Sequence, residues 1–115
     1  MTQPVLKQYA PVQFSRIYAL GAARGDLTVT NDDIAGPIDS SDEWIRQRTG
    51  IITRRRASAD RSLMDMAVEA SNEAIKSAGI DPSEIGAVLF STITHPHQTP
   101  SAAALLADKI GANPA

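Results

Sequence analysis

The sequence contains no cysteine. A disulfide framework, a thiolate metal site and a cysteine nucleophile are therefore all excluded from these 115 residues. Aromatic residues are scarce, at 4%. Alanine and isoleucine carry much of the apolar content, which suits helices packed closely on a sheet. No apolar run approaches the roughly 20 residues that a helix needs to cross a bilayer. The polar opening MTQPVLKQYAPVQ, residues 1–13, has neither the apolar stretch nor the cleavage site of a signal peptide. A cytoplasmic protein with no membrane partner is expected. Neither G-x-G-x-x-G nor G-K-[ST] occurs, which removes the usual dinucleotide and P-loop readings.

With 43% hydrophobic and 21% charged residues, the composition is that of a folded domain. A chain of this length buries roughly two thirds of its unfolded surface, so its margin of stability is thin. The net charge of −2 argues against general nucleic-acid binding. Its distribution is uneven. Arg46, Arg48, Arg54, Arg55, Arg56 and Arg61 face the single acid Asp60 within sixteen residues, so that stretch carries +5 and the remainder −7. Such a run reads either as a solvated face paired to acids elsewhere or as a local anion site.

Residues 1–13 read as a loose leader, and 14–115 as one α/β unit. Phe14 to Ala22 predicts a first strand, with Phe14, Tyr18 and Leu20 on one face. Gly25-Asp26 makes a turn, and Thr28 to Thr30 extends again. Asn31 reads as the N-cap of a short DDIA helix that Gly36-Pro37 ends. Ser40 to Glu43 fits a capping box, with Ser40 as N-cap and Glu43 reaching back, and Gly50 closes that helix. Ile51 to Arg56 is expected to be extended.

Leu63, Met66, Ala67, Ala70, Ala74 and Ala78 recur at three- and four-residue steps, which predicts an amphipathic helix over Ser62 to Ala78, stopped by Gly79. Asp81-Pro82-Ser83-Glu84 is a second capping box with proline at N1. Ala87 to Thr94 is apolar and β-rich, as in a strand buried on both faces. Thr99-Pro100 caps a last helix running to Ile110, before Gly111. Strand, helix, strand, helix in this order implies a right-handed α/β crossover. The unit reads as incomplete, with a further strand expected after Asn113-Pro114-Ala115.

The residues that carry chemistry cluster in Ser40 to Gly50. On a helix, Ser40, Trp44 and Arg48 share one face at i, i+4 and i+8. An indole beside a guanidinium makes a platform for a flat heterocycle bearing phosphates, the ring stacking and the fork of Arg48 meeting phosphate oxygens. The same pair also fits an internal Trp–Arg contact that covers the core. Arg54-Arg55-Arg56 could meet a nucleotide 3′-phosphate or an acidic carrier protein, or be a solvated strand end. His95-Pro96-His97 offers two imidazoles, but zinc needs three or four protein ligands and no suitable partner is near. It reads as a loop with ordinary histidines, and no metal is expected.

The run Asp39-Ser40-Ser41-Asp42-Glu43-Trp44-Ile45, followed by Arg48-Thr49-Gly50-Ile51, resembles the signature of beta-ketoacyl-acyl-carrier-protein synthase III. The likeness continues through Met66-Ala67, Glu69-Ala70, Ala78-Gly79-Ile80, Ile85 to Val88 and Gln98 to Ala102, in register from residue 14 to 115. It implies the N-terminal portion of a thiolase-like fold, layered α/β/α/β/α and incomplete in this chain. The family condenses an acyl-CoA primer with malonyl-acyl-carrier protein to start fatty-acid synthesis, as a homodimer with no tightly bound cofactor. By the same resemblance, Trp44 stacks on the adenine of coenzyme A, with Arg48, Ser40 and Thr49 in the same site. The family often has threonine where this chain has Ser40, and the hydroxyl is kept. Thr99 matches a position at the dimer interface that shapes the partner's acyl channel.

No catalytic residue of the family falls within the chain. The resemblance puts its cysteine about ten residues beyond Ala115 and its histidine and asparagine further on, so the isolated chain is expected to be inactive in condensation. Two other readings stand beside this one. One is a related secondary-metabolism acyltransferase of the same fold, and the other is a non-catalytic binding module that uses the Arg46–Arg61 patch.

Overall fold

The computed structural model describes residues 14–112. The expected leader, 1–13, and the segment 113–115 lie outside the described residues.

Strand β1 (Leu27–Thr30) pairs antiparallel with β2 (Thr53–Arg56), Thr28 opposite Arg55 and Val29 opposite Arg54. The chain between them folds into two helices, α1 (Asp32–Ala35) and α2 (Asp42–Thr49). Helix α3 (Leu63–Ala78), a 3₁₀ turn at Pro82–Glu84 and helix α4 (Ala102–Ile110) follow.

The local punctuation works much as the residues dictate. Ser62 caps α3 and forms a reciprocal box with Asp65. Asp81 and Glu84 do the same for the 3₁₀ turn. The expected capping residues shift by one or two places at the other two helices. Ser41, rather than Ser40, accepts from the Trp44 N–H at 3.2 Å, and Glu43 is bonded along the helix to Gln47. Ser101, rather than Thr99, caps α4. In each case the hydroxyl three residues before the free N–H is the one that reaches it.

Helix α3 is covered on two sides. Met64, Ala67, Val68 and Ile75 join Leu106, Ala107 and Ile110 of α4 in the main core. Its other side faces the segment 17–22, where Ile17, Tyr18 and Ala19 line an open cavity of about 290 Å³ together with Ala74, Ile75 and Ala78. At Gly21 the two backbones nearly touch. A Cβ there would fall 2.0 Å from the Ala70 carbonyl oxygen, so only glycine allows the approach. The Ala22 N–H then donates to Glu73 at 2.9 Å.

Two expected strands do not form ladders. Phe14 to Ala22 and Ala87 to Thr94 have no strand partner among the described residues. Accordingly no parallel crossover is present among them, and the one sheet is the antiparallel β1–β2 pair. The cause is that an extended segment becomes a strand only when a neighbour supplies the other half of the hydrogen bonds. Nor is 87–94 buried on both faces. Val88 and Phe90 pack on the core, whereas Leu89 and Ile93 are 96% and 101% exposed. Its apolar run reads as doubly buried, but core packs against only one side of it.

Leu106 is 5% exposed in the α3–α4 core. Leu106→Ala should therefore cost about 2–5 kcal/mol, while truncating the exposed Leu20 to alanine should change stability by less than about 0.5 kcal/mol. Urea unfolding followed by far-ultraviolet circular dichroism checks the contrast, and equal effects would mean that the core lies elsewhere.

Candidate functional site

Helix α2 has eight residues, too few to be stable alone in water. Its apolar contribution to the fold is small, since Ile45 is its one buried residue. What fixes it is a polar network around Asn31, the most deeply buried polar residue, at 1% exposure. The Asn31 amide nitrogen donates to Asp42 Oδ1 at 2.7 Å and to the Ile51 carbonyl at 2.8 Å. Its amide oxygen accepts from Arg54 Nη2 at 2.7 Å, and Arg54 Nη1 also donates to the Thr30 carbonyl at 3.1 Å. Sequence reading assigns Asn31 a capping role. In the fold it sits at the cap position of α1, but its side chain makes no cap bond and is spent on these partners.

Asp42 is in turn held by Arg46, whose Nε lies 2.7 Å from Oδ2. The Arg46 bond, then the Asn31 amide, holds the Asp42 carboxyl below the usual carboxylate range. At the other end of α2, Gly50 adopts φ +71°, the left-handed conformation that reverses the chain and brings Ile51 back toward Asn31.

The four expected site residues are not all brought together. Trp44 is 54% exposed, with the Arg48 guanidinium carbon 5.4 Å from its ring centroid, a cation–π pair along one helix face. Beside the indole opens a cavity of about 530 Å³ lined by Ile38, Asp39, Ser40, Ser41 and Trp44. Ser40 lies just before the helix, and its buried hydroxyl oxygen has no hydrogen-bond partner among the described residues. Asp39 makes the turn into this wall with φ +50°, a left-handed conformation that aspartate tolerates better than most residues. Thr49 is placed otherwise. Its hydroxyl donates to the Ile45 carbonyl at 2.7 Å and accepts from the Ile51 N–H at 3.1 Å, closing the helix end.

The basic run is largely engaged within the fold. Arg46 bonds Asp42, Arg54 bonds Asn31 and Thr30, Arg55 bonds Thr28, and Arg61 bonds Glu69. Two of the six are left exposed, Arg56 at the end of β2 and Arg48, which lies over the ring of Trp44 at the cavity's edge. His95 and His97 meet edge to face at 5.7 Å between centroids. No group of three or more potential metal ligands exists among the described residues. Among the same residues, no helix is long and apolar enough to cross a membrane.

No protein-family model matches the chain. Among curated proteins, it is 47% identical over 110 residues to beta-ketoacyl-[acyl-carrier-protein] synthase III of Kocuria rhizophila, covering 96% of this chain. It is 50% identical over 100 residues to the protein of that name from Tropheryma whipplei, covering 87% of this chain. The chain spans 31% of the length of each of these relatives. Among solved structures, the priming beta-ketosynthase of a polyketide biosynthetic pathway matches with a TM-score of 0.84 and 38% identity, over 93% of this chain and 32% of that one. The 3-oxoacyl-[acyl-carrier-protein] synthase III of Aquifex aeolicus matches with a TM-score of 0.77 and 33% identity, over 84% of this chain and 31% of that one. The backbone path is thus that of part of a thiolase-fold condensing enzyme, the α/β class expected from the sequence. Within that class, over the stretch it spans, the chain belongs to the beta-ketoacyl-acyl-carrier-protein synthase III family.

A carboxyl whose pKa is lowered by folding contributes stability above its unfolded pKa, and that contribution is lost as pH falls through the folded value. The Asp42 clamp is therefore complete above about pH 4 and released in stronger acid. Trp44 is the sole tryptophan, so its emission reports on α2. Emission should stay constant from pH 8 to about pH 5 and change below about pH 4. Asp42→Ala should show the acid signal already at neutral pH; if it matches the wild type there, the carboxyl does not hold the helix.

Proposed function

We propose that this chain forms the coenzyme-binding edge of an acyltransferase that condenses an acyl-CoA primer with malonyl-acyl-carrier protein. The observation that carries the reading is a half-exposed indole with a guanidinium against it, at the rim of a cavity also lined by Ser40, whose buried hydroxyl has no partner among the described residues. An adenine stacks on the Trp44 face, and Arg48 meets the phosphates with a charge that no acid among the described residues pairs with. A buried hydroxyl without a partner costs about 1–3 kcal/mol, and a hydrogen bond from Ser40 to the bound nucleotide removes that cost. Thr49 supports the site from behind, by closing α2.

The intact enzyme works in the cytoplasm as a homodimer, with acyl-CoA as substrate and no tightly bound cofactor. The relatives' name, beta-ketoacyl-[acyl-carrier-protein] synthase III, supports malonyl-acyl-carrier protein as the second substrate. This chain has no cysteine, so an acyl thioester cannot form on it, and it is inactive in condensation by itself. A second reading, a secondary-metabolism acyltransferase of the same fold, is favoured by one observation, the likeness to the polyketide priming ketosynthase. The stand-alone basic module is less well supported, because four of the six clustered arginines are engaged internally.

Calorimetric titration with coenzyme A tests the site. A charge-assisted bond of about 1.5–3 kcal/mol corresponds to roughly ten- to a hundredfold in affinity, so Arg48→Ala should weaken binding by at least tenfold. Unchanged affinity would reject the site.

A further inference from the structure

We propose that Asn31 is a positioning residue for the coenzyme site, acting by tying both ends of α2 to the β1–β2 ribbon. The inference rests on the coenzyme reading above. It goes beyond it by assigning the orientation of Trp44 and Arg48 to a side chain that touches neither.

The chemistry required at this point is narrow. One group must donate to an anionic oxygen at the start of α2, donate again to a carbonyl just past its end, and accept from a guanidinium on β2. Asp42, Ile51 and Arg54 are those three partners, at 2.7, 2.8 and 2.7 Å. A carboxamide alone among side chains carries two donors on one atom and an acceptor on its neighbour. At 1% exposure the side chain is enclosed by its neighbours, so the longer glutamine would have to displace them. Trp44 follows Asp42 by two residues and Arg48 precedes Ile51 by three, so the stacked pair lies between the two tethered points.

The tether also explains why so short a helix has a defined face. Ile45 is its one buried residue, and one apolar contact leaves rotation about the helix axis free. Two hydrogen bonds at opposite ends remove that freedom. Asp42 cannot swing to solvent without breaking its bonds to both Asn31 and Arg46.

The experiment uses the whole chain as wild type, Asn31→Asp, Asp42→Asn and the double variant. Each is titrated with coenzyme A by calorimetry, with Trp44 emission and circular dichroism followed in parallel. Asn31→Asp sets a carboxylate against the Asp42 carboxylate and the Ile51 carbonyl. It should weaken coenzyme A at least tenfold and shift Trp44 emission, while the helix signal dominated by α3 and α4 persists. The double variant restores a donor–acceptor pair between positions 31 and 42 and should recover affinity at least threefold over Asn31→Asp, which a merely structural loss would not do. Should Asn31→Asp fail to fold, Asn31→Ser, which adds no repulsion, takes its place with an expected loss of at least fivefold. Wild-type binding together with affinities within twofold in the Asn31 variant overturns the positioning role. Absence of wild-type binding overturns the coenzyme reading instead. In that case unchanged Trp44 emission in the Asn31 variant also overturns the tether, and a shift reversed by the double variant sustains it.

Discussion

Three hydrogen bonds converge on one buried carboxamide, and the arrangement of residues 27–56 depends on them. Asn31 joins α1, both ends of α2 and strand β2 without contributing any apolar area. A buried amide left unpaired costs about 1–3 kcal/mol per group, so the network is satisfied as a whole or not formed. This all-or-none character lets an eight-residue helix with one buried side chain keep a fixed orientation. The apolar core, by contrast, lies further along, between α3 and α4. The two parts of the chain are therefore stabilised by different physics: polar closure in the first, and burial in the second.

What could be read in the sequence follows the range of the interactions involved. The helix stops at Gly50, Gly79 and Gly111 and the capping box at Asp81 are decided within four residues, and they are legible, whereas the Ser62 box, with aspartate in place of the usual glutamate, is not singled out by the pattern. The Trp44–Arg48 face is equally local, because helical periodicity alone places the two side chains together. The shift of the cap from Ser40 to Ser41 is a choice between adjacent hydroxyls that local pattern does not settle. Asn31 was legible only as a cap, because its partners are 11, 20 and 23 positions away. The resemblance sets Thr49 beside Trp44, Arg48 and Ser40, while its position in the last turn of a helix gives its hydroxyl nearby backbone groups to bond, and it bonds them. The two unpaired segments fail for the opposite reason. Their residues favour extension, but pairing is a property of a neighbour.

The arginine cluster shows how composition overstates a charged patch. Six arginines within sixteen residues suggest a surface for polyanions. In the fold, Arg54 is a structural donor to the Asn31 hub, Arg55 braces the opposite strand, and Arg46 and Arg61 pair with acids on the helices. The exposed pairs contribute little to stability, but they occupy guanidinium groups that would otherwise attract ligands. Arg48 instead lies over the indole of Trp44, which lines the cavity. Bulk positive charge attracts any anion, whereas a cation beside an aromatic face favours a planar ring that carries the charge.

The separation between polar hub and apolar core bears on how the site relates to the fold around it. Every residue that lines the cavity or tethers it lies between Asn31 and Arg54, a span closed on itself by the β1–β2 ribbon. The exposed apolar side chains Leu89 and Ile93, and the segment from Phe14 to Ala22, lie outside that span in sequence. The ribbon joins that span to the rest of the chain at both strands: β1 is bonded to β2, and β2 is bonded through Arg54 to Asn31. Strand pairing and a carboxamide with three committed partners tie the wall that carries Trp44 to its own loop. This locality is also why a run of some thirteen residues, Asp39 to Ile51, suffices as a sequence signature: the groups that present the ring and the cation are within reach of one short helix, and only the clamp behind them comes from further away.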